Sequence, residues 1–336
     1  MMYTVASYMV EVLSGEQFAE FLQSRIWNPL QMSNTYHDIN GIQARNATAL
    51  LAHGYHWDER AEHYVKIPFI EQPEAQGAGL VFSSVNDYAK WIRAMIKRTG
   101  PLPLAAHKEL VKPRAIMLEE EEDRIPFYSQ ALYALGWVVE TYRGLTVIGH
   151  DGSVPGFNSL MRYLPELEWG IVIFGNSNGA GDAAEIVCGH LVDELLSVPT
   201  PERLDWTALQ REHHEKSKQE EKDRMQSKPL EPELAMSVPL FQYAGKYQNV
   251  GYHDLILEVK DGKLWADCSD RTFGFVLSFD HVSGDTFVAE IRDVLDDTKR
   301  NVGAEFQLGA LGEVESLGVE FVEEMKAEMI WFTKVE

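Results

Sequence analysis

Three short apolar segments between Leu145 and Asn178, separated by turn residues, constrain the fold of this chain more than any other stretch. In chain order they are a strand ending at His150-Asp151-Gly152, a bend at Pro155-Gly156, a strand at Phe157–Tyr163, a turn at Pro165-Glu166 and a strand at Gly170–Phe174. Tight turns join antiparallel strands, whereas parallel neighbours need a long crossover connection. The stretch therefore predicts an antiparallel meander.

The end of the first predicted strand places an ionisable side chain close to a residue that has no side chain. His150 and Asp151 directly precede Gly152. A glycine allows another group to approach the backbone closely. This pattern is typical of a strand edge that lines a cleft and offers its N–H groups to a substrate oxygen.

The segment GHDGSVPGFNS, which contains these residues, resembles the third conserved motif of the serine β-lactamase and penicillin-binding-protein superfamily, class C type. That motif reads Lys-Thr-Gly, or His-x-Gly in the esterase and peptidase branches. Two other stretches agree in the same order. Met2–Thr35 is similar to the family's helix pair ending in PLGM..T, and Gly77–Trp91 is similar to its glycine-rich stretch with a Ser-Ser pair. The resemblance covers roughly Met1–Leu196.

The resemblance implies an α/β (α+β) fold of the β-lactamase/transpeptidase type and a hydrolase or acyltransferase that works through an acyl-enzyme. His150 would take the role of the motif's Lys or His, Gly152 would give clearance, and the backbone N–H of Ser153 would be an oxyanion donor. An imidazole in place of lysine suits esters and peptides. The implied partner is thus a small-molecule ester or amide substrate, with no cofactor.

The nucleophile of the resembling family is missing from this sequence. The family carries it in Ser-x-x-Lys, and here no serine has a lysine three residues further on. The second motif, Tyr-x-Asn, would fall just before Met1. We therefore expect a β-lactamase-like domain that is incomplete at its N-terminus and inactive by that mechanism. A non-catalytic homologue kept for binding, or a truncated gene model, fits the same pattern.

A second candidate nucleophile is Ser177. Gly175-Asn176-Ser177-Asn178-Gly179 fits G-x-S-x-G between a strand and a helix, as in an α/β-hydrolase elbow. In an elbow the helix begins directly after the serine. Here Asp182 and Glu185 form a capping pattern that predicts a helix over Ala183–Leu196, about five residues later. The tight turns also leave no parallel sheet, so this alternative is the weaker one.

Composition excludes several classes of partner. The formal net charge is −22, and phosphate backbones and anionic membranes need a basic surface. No apolar run approaches the ~20 residues that span a bilayer. Cys188 and Cys268 cannot form a disulfide framework and fit a reducing compartment, so we predict buried thiols and a cytoplasmic location. His53, His56 and His63 lack a fixed frame and a carboxylate ligand, so no metal site is predicted.

The composition of the chain divides it into three parts. Residues 1–200 form the β-lactamase-related part, and Glu119–Asp123 within it reads as an acidic loop. Residues 201–239 are dense in charge and read as a linker or an exposed helix. Residues 240–336 carry short strands at even spacing, with Asp261-Gly262 as a strong hairpin signal. They predict an antiparallel β-barrel, which resembles the lipocalin-like domain appended to some members of the superfamily.

The expected incompleteness leads to a prediction about association. The absent part of the family's domain carries a helix and edge strands, so apolar surface is expected to stay exposed on the N-terminal side of the domain. Val5, Tyr8, Met9, Val12 and Leu13 fall at helical spacing there. We predict self-association through this side, measured as a mass above that of one chain by light scattering. A monodisperse monomer with a high melting temperature contradicts the prediction.

Overall fold

The structure of the protein, a computed structural model, describes residues 2–58, 61–69, 75–118, 124–225, 234–295, 298–322 and 328–335. The acidic segment Glu119–Asp123 lies outside these ranges. The chain divides into two compact units, Met1–His214 and Glu215–Glu336. Each unit has its own hydrophobic core.

The first unit contains six helices and eight strands among its described residues, and a seventh helix begins near its end. In chain order they are α1 (Met2–Ser14), α2 (Phe18–Leu22), α3 (Ile39–Ala44), β1 (Gly54–Asp58), β2 (His63–Ile67), α4 (Val85–Lys97), α5 (Leu104–Leu110), β3 (Ala115–Ile116), β4 (Leu132–Tyr133), β5 (Val138–Tyr142), β6 (Leu145–Val154), β7 (Phe157–Leu164), β8 (Trp169–Gly175), α6 (Ala180–Leu195) and α7 (Trp206–Met225). A π-helical turn, Gln23–Trp27, continues α2.

The predicted meander forms β6, β7 and β8, and the sheet is antiparallel throughout in the order β3-β4-β5-β6-β7-β8. Pro155 and Gly156 make the turn between β6 and β7, with Gly156 at φ +77°. Proline followed by a residue of positive φ is the signature of a type II turn. The local turn chemistry thus determines the pairing, and the predicted antiparallel sheet is confirmed.

Helices cover both faces of this sheet. Val147 and Leu160 belong to a core with α6, whereas the neighbouring Ile148 and Met161 belong to a core with α4. Successive strand side chains point to opposite faces, so the two helices lie on opposite sides. Burial on both faces explains why these strands read as continuous apolar runs rather than as an alternation.

Two buried polar contacts fasten α6 to its surroundings. Arg162 on β7 forms two hydrogen bonds with the Glu185 carboxylate, at 2.6 and 2.7 Å. Asp193, which is fully buried, accepts from the Tyr142 hydroxyl at 2.7 Å and from the Trp206 indole N–H at 2.8 Å. Burial, and then the bond to Asp193, raise the pKa of Tyr142 to about 12, so the phenol keeps its proton.

The predicted start of α6 is wrong by three residues. The helix begins at Ala180, with Gly179 as its N-cap and no capping side chain. Glu185 does not cap the helix because its carboxylate is paired with Arg162. A long-range ion pair therefore replaces the local capping that the sequence pattern indicated.

The N-terminal helix α1 is unusual in its exposure. Ser7 is its one buried residue among those described, while Met2, Tyr8, Val12 and Leu13 are each more than half exposed. The predicted helix is therefore present, and Gly15, at φ +72°, ends it. Self-association through its apolar surface stays a prediction.

The second unit is a closed eight-stranded antiparallel barrel. Its strands are β9 (Gly245–Asn249), β10 (His253–Lys260), β11 (Lys263–Cys268), β12 (Phe275–Ser283), β13 (Thr286–Asp293), β14 (Lys299–Leu308), β15 (Val314–Val319) and β16 (Ile330–Lys334). Its core contains fully or almost fully buried aromatic side chains, among them Tyr243, Tyr247, Phe279, Phe306 and Phe332. Asp261 and Gly262, both at positive φ, form the predicted hairpin turn between β10 and β11.

Both cysteines are buried free thiols, and burial raises the pKa of Cys188 and raises that of Cys268 to about 11. Across the described ranges, no helix has the length and apolar character needed to cross a bilayer.

Two stretches that carry the family resemblance meet at one buried carboxylate. Asp87, 2% exposed, accepts hydrogen bonds from the backbone N–H of Asn34 at 2.6 Å, from the Thr35 hydroxyl at 3.2 Å and from Lys90 at 2.7 Å. Ser84 caps α4 by accepting from the Asp87 N–H at 3.2 Å. The Asp of one stretch thus fixes the Thr of the other.

Replacing this carboxylate is expected to destabilise the first unit. Asp87→Ala leaves the Asn34 N–H without its acceptor and removes one of the two partners of the Thr35 hydroxyl, which also bonds Ser83, so we expect a loss of roughly 1–3 kcal/mol of unfolding free energy. Chemical denaturation followed by near-ultraviolet ellipticity measures the loss. Glu109→Gln, which removes an exposed partner of Arg114, is the control and should change little. Equal stabilities of the two variants would contradict the role assigned to Asp87.

Candidate active site

The outer half of β6 has a neighbouring strand on one side only. β7 pairs with β6 from Ile148 to Val154, whereas the pairing with β5 ends at Gly149. Within the described ranges, no strand lies beside residues 150–154 on the β5 side. His150 is partly exposed and the four residues after it are exposed. Backbone N–H and C=O groups are therefore available along this edge.

The three residues predicted to act in the site, His150, Gly152 and Ser153, all lie on this half-paired segment. Gly152 faces Ser159 across the sheet, and a Cβ at position 152 would lie 2.8 Å from the Ser159 hydroxyl. The roles of an imidazole, a clearance glycine and an oxyanion amide stay predictions. The structure brings the three residues together on one exposed strand end.

The His150 ring is held by two hydrogen bonds. Its Nδ1 lies 2.5 Å from the backbone oxygen of Asp151, and its Nε2 lies 3.2 Å from the Tyr133 hydroxyl. The Tyr133 ring packs edge-on against the imidazole at 5.9 Å. The Tyr3 hydroxyl lies 3.3 Å from that of Tyr133. The first turn of α1, the end of β4 and the exposed half of β6 therefore converge.

Burial raises the pKa of Tyr133 to about 12. Its hydroxyl keeps its proton at neutral pH, so Tyr133 acts as a donor. It is not a base in this arrangement.

A glycine-containing loop packs against the same region. A Cβ at Gly77 would lie 2.0 Å from the backbone oxygen of Tyr3, so only glycine fits there. A Cβ at Gly79 would lie 3.8 Å from a methyl group of Val154, which is an ordinary contact. The loop thus supports the first turn of α1 and reaches the end of the exposed strand.

The side chain of Asn158 bridges Ser177 and Ser153 by hydrogen bonds to both. With its amide nitrogen toward the Ser177 carbonyl, at 2.7 Å, Asn158 accepts from the Ser153 hydroxyl at 3.1 Å. The backbone around Ser177 pairs with Tyr55 on β1: the Asn178 N–H donates to the Tyr55 carbonyl at 3.2 Å. The preceding strand β8 is antiparallel to β7, whereas an α/β-hydrolase elbow follows a parallel strand.

Three phenylalanine rings stand beside the turn at the end of the exposed strand. Phe69 stacks on Phe157 with ring centroids 6.0 Å apart, and its edge meets Phe82 at 6.2 Å. Phe157 is the cross-strand partner of Val154. All three rings are partly exposed, so they present an apolar surface, the aromatic wall, beside the turn between β6 and β7.

Two of the three clustered histidines have hydrogen-bond partners, and the third, His56, has a buried Nδ1 without one in the described part of the chain. His53 Nε2 lies 3.2 Å from the Lys66 ammonium group, and His63 Nδ1 lies 3.1 Å from the Ala61 carbonyl. Among the residues that the structure describes, no three His, Cys, Asp or Glu side chains are grouped as metal ligands.

Sequence reasoning missed Tyr3, Tyr133, Gly77 and Asn158 as parts of this region. Tyr133 and His150 are 17 positions apart, and Tyr3 and Tyr133 are 130 positions apart. No local spacing connects such residues. The glycines around Gly77 were a visible signal because they carried part of the family resemblance, but the pattern did not reveal which atom needs the space.

Two family models match separate parts of the chain. The family model described as Beta-lactamase matches residues 1–187, and a domain of unknown function, DUF3471, matches residues 231–334. The chain is similar to the curated "Unguisins hydrolase ungD'" of Aspergillus campestris, with 30% identity over 99% of this chain and 62% of the relative. A second relative, "Unguisins hydrolase ungD" of Aspergillus violaceofuscus, is 31% identical over 95% of this chain and 59% of its own length.

A solved structure has the same fold over almost the whole chain. The octameric penicillin-binding protein homologue from Pyrococcus abyssi superposes with a TM-score of 0.51 and 18% identity, and the match covers 98% of this chain and 63% of that one. The chain therefore spans about three fifths of the length of the relatives that it matches.

The close approach at Gly77 gives a prediction. In Gly77→Ala the new Cβ meets a backbone oxygen, which cannot move away as a flexible side chain does, so the first turn of α1 must shift. We expect a loss of about 1–3 kcal/mol in the unfolding free energy and changed backbone amide shifts around Tyr3 and Tyr133. Gly79→Ala is the matched control, in the same loop but with room for a Cβ. The same small effect in both variants would contradict the tight packing inferred at Gly77.

Proposed function

Because this chain belongs to the beta-lactamase family, we propose that it supplies the substrate-binding strand and the oxyanion donors of a serine hydrolase acting on amide or ester bonds of peptide-like small molecules. The observation that carries the proposal is the half-paired strand end from His150 to Val154. An extended substrate can add to such an edge as a further strand through main-chain hydrogen bonds. The names of the two relatives, both hydrolases, support the reaction class.

In this proposal the strand end performs two tasks. The N–H groups of the free edge bind the substrate backbone, and that of Ser153 faces the carbonyl oxygen as negative charge develops on it. His150 handles a proton or stabilises charge beside the reacting bond. The two buried free cysteines suit a reducing compartment, and we place the protein in the cytoplasm.

The aromatic wall indicates which substrates fit best. Phe69, Phe82 and Phe157 offer partly exposed rings at the turn that ends β6, within reach of the side chains of a substrate that extends past Val154. Burying an apolar side chain against such rings is favourable by roughly 1–3 kcal/mol. We therefore propose a preference for bulky apolar residues in the substrate.

We further propose that the chain as given binds such substrates without turning them over, because its sequence contains no Ser-x-x-Lys. The second candidate, hydrolysis through Ser177, is favoured by the G-x-S-x-G pattern but not by the antiparallel strand that precedes it. The two candidates differ in whether a serine of this chain becomes acylated.

The test combines binding with covalent labelling. We expect a blocked peptide with a phenylalanine side chain to bind about tenfold more tightly than its serine counterpart, since one apolar side chain contributes roughly 1.5–3 kcal/mol. In Phe69→Ala the ratio should fall toward one, whereas Phe241→Ala, an exposed site on the barrel unit, should keep it. Calorimetric titration measures the affinities.

Fluorophosphonate labelling and nitrophenyl ester turnover complete the test. The proposal expects neither in the wild-type chain. Labelling that disappears in Ser177→Ala but persists in Ser153→Ala would establish the second candidate and contradict the first. Failure of both peptides to bind would contradict a substrate-binding strand at the free edge of β6.

A further inference from the structure

The hydrogen bonds around His150 determine which of its ring nitrogens carries the proton in the neutral state. A backbone carbonyl oxygen can only accept, so the contact between Nδ1 and the Asp151 oxygen requires a proton on Nδ1. In the neutral ring, Nε2 then carries a lone pair. The contact between Nε2 and Tyr133 therefore requires that the hydroxyl donates to the ring.

The same reasoning extends to Tyr3. Once the Tyr133 hydroxyl has given its proton to the bond with Nε2, its oxygen can only accept from the next hydroxyl. The Tyr3 hydroxyl lies 3.3 Å away and supplies that donor. Its position depends on the first turn of α1, which packs against Gly77. The direction of all three bonds is thus set by the carbonyl at Asp151.

We propose that the Asp151 carbonyl selects the Nδ1–H form of His150 and that Tyr133, supported by Tyr3, is a positioning residue whose hydroxyl donates to Nε2 and holds the ring in that orientation. This positioning matters for catalysis only if His150 acts in the proposed function, so in that respect it rests on the proposed function. The ring orientation and the tautomer themselves follow from the geometry alone. The Tyr133 hydroxyl keeps its proton at neutral pH because partial burial raises its pKa to about 12.

This series of hydrogen bonds restricts the motion of a histidine ring at a strand end. Residues 151–154 are exposed, and an imidazole at such a position would otherwise rotate and exchange tautomers freely. Fixing the ring by two hydrogen bonds from opposite sides leaves one orientation and one protonation pattern. Catalytic groups benefit from such prior ordering because no reorganisation is needed during the reaction.

The test observes the ring nitrogens directly. Long-range proton–nitrogen spectra of the ¹⁵N-labelled full chain distinguish a protonated ring nitrogen from an unprotonated one, and His150→Gln identifies the signals of His150 among the 11 histidines. The expected wild-type result is a protonated Nδ1 and an unprotonated, hydrogen-bonded Nε2. A wild-type ring protonated at Nε2 would overturn the inference without any variant.

Variants then assign the effect to the two tyrosines. Tyr133→Phe removes one hydroxyl and keeps the ring, so the Nε2 signal should shift to that of an unprotonated nitrogen without a hydrogen-bond donor, while Nδ1 keeps its proton on the Asp151 carbonyl. Tyr3→Phe should give a smaller change in the same direction. Tyr8→Phe, an exposed tyrosine on the same helix, is the control and should give none.

An unchanged His150 signal in a folded Tyr133→Phe variant, as judged from its backbone amide spectrum, would also overturn the inference. These readouts do not depend on turnover. If peptide binding fails while the tautomer is as expected, the proposed function is contradicted and the positioning of His150 stands. If the tautomer differs while peptides bind, the positioning of His150 is contradicted and the proposed function stands.

Discussion

The unequal pairing of β6 is the constraint on which the rest of the site depends. β5 pairs with β6 from Tyr142 back to Val138, where β5 ends at the turn of residues 134–137 that joins it to β4 in the same sheet. The hydrogen bond from the Ala134 N–H to the Trp137 carbonyl, at 2.8 Å, closes that turn. Gly136, at φ +75°, allows that turn, and Trp137 is buried. β5 therefore ends at Val138, opposite Gly149, and no strand of the described residues covers that side of β6 from His150 onward.

The surroundings of this open end are built from close approaches between segments far apart in sequence. The first turn of α1 contacts the loop at Gly77, and the turn next to Tyr133 stands near Tyr3. Asp87 fixes the chain after α2 to the start of α4 by hydrogen bonds to Asn34 and Thr35. The stretches that carry the family resemblance thus differ in their roles. The segment around His150 presents polar groups, and Met2–Thr35 and Gly77–Trp91 form the packed surroundings of those groups.

The sequence predicted those features that depend on neighbouring residues. The meander, the Pro155-Gly156 turn and the Asp261-Gly262 hairpin all rest on local turn chemistry and on short apolar runs, and the structure confirms them. The start of α6 was wrong because Glu185 pairs with Arg162, a residue 23 positions away. Tyr133 was not found because its partners come from α1 and β6, and no periodicity relates them. The roles of His150, Gly152 and Ser153 in chemistry remain predictions, since position on an exposed strand does not fix what a group does.

The central claim is that residues 150–154 form a backbone edge that receives an extended substrate, and amide hydrogen exchange measures it most directly. In the free chain, amides on the unpaired side of this segment should exchange faster than those of Ile148 and Gly149, which have strands on both sides. Saturation with a blocked Val-Phe-Val peptide should slow them by about tenfold or more, because each new backbone hydrogen bond stabilises the closed state. Uniform protection along β6 in the free chain, or exchange unchanged by the peptide, would contradict the account.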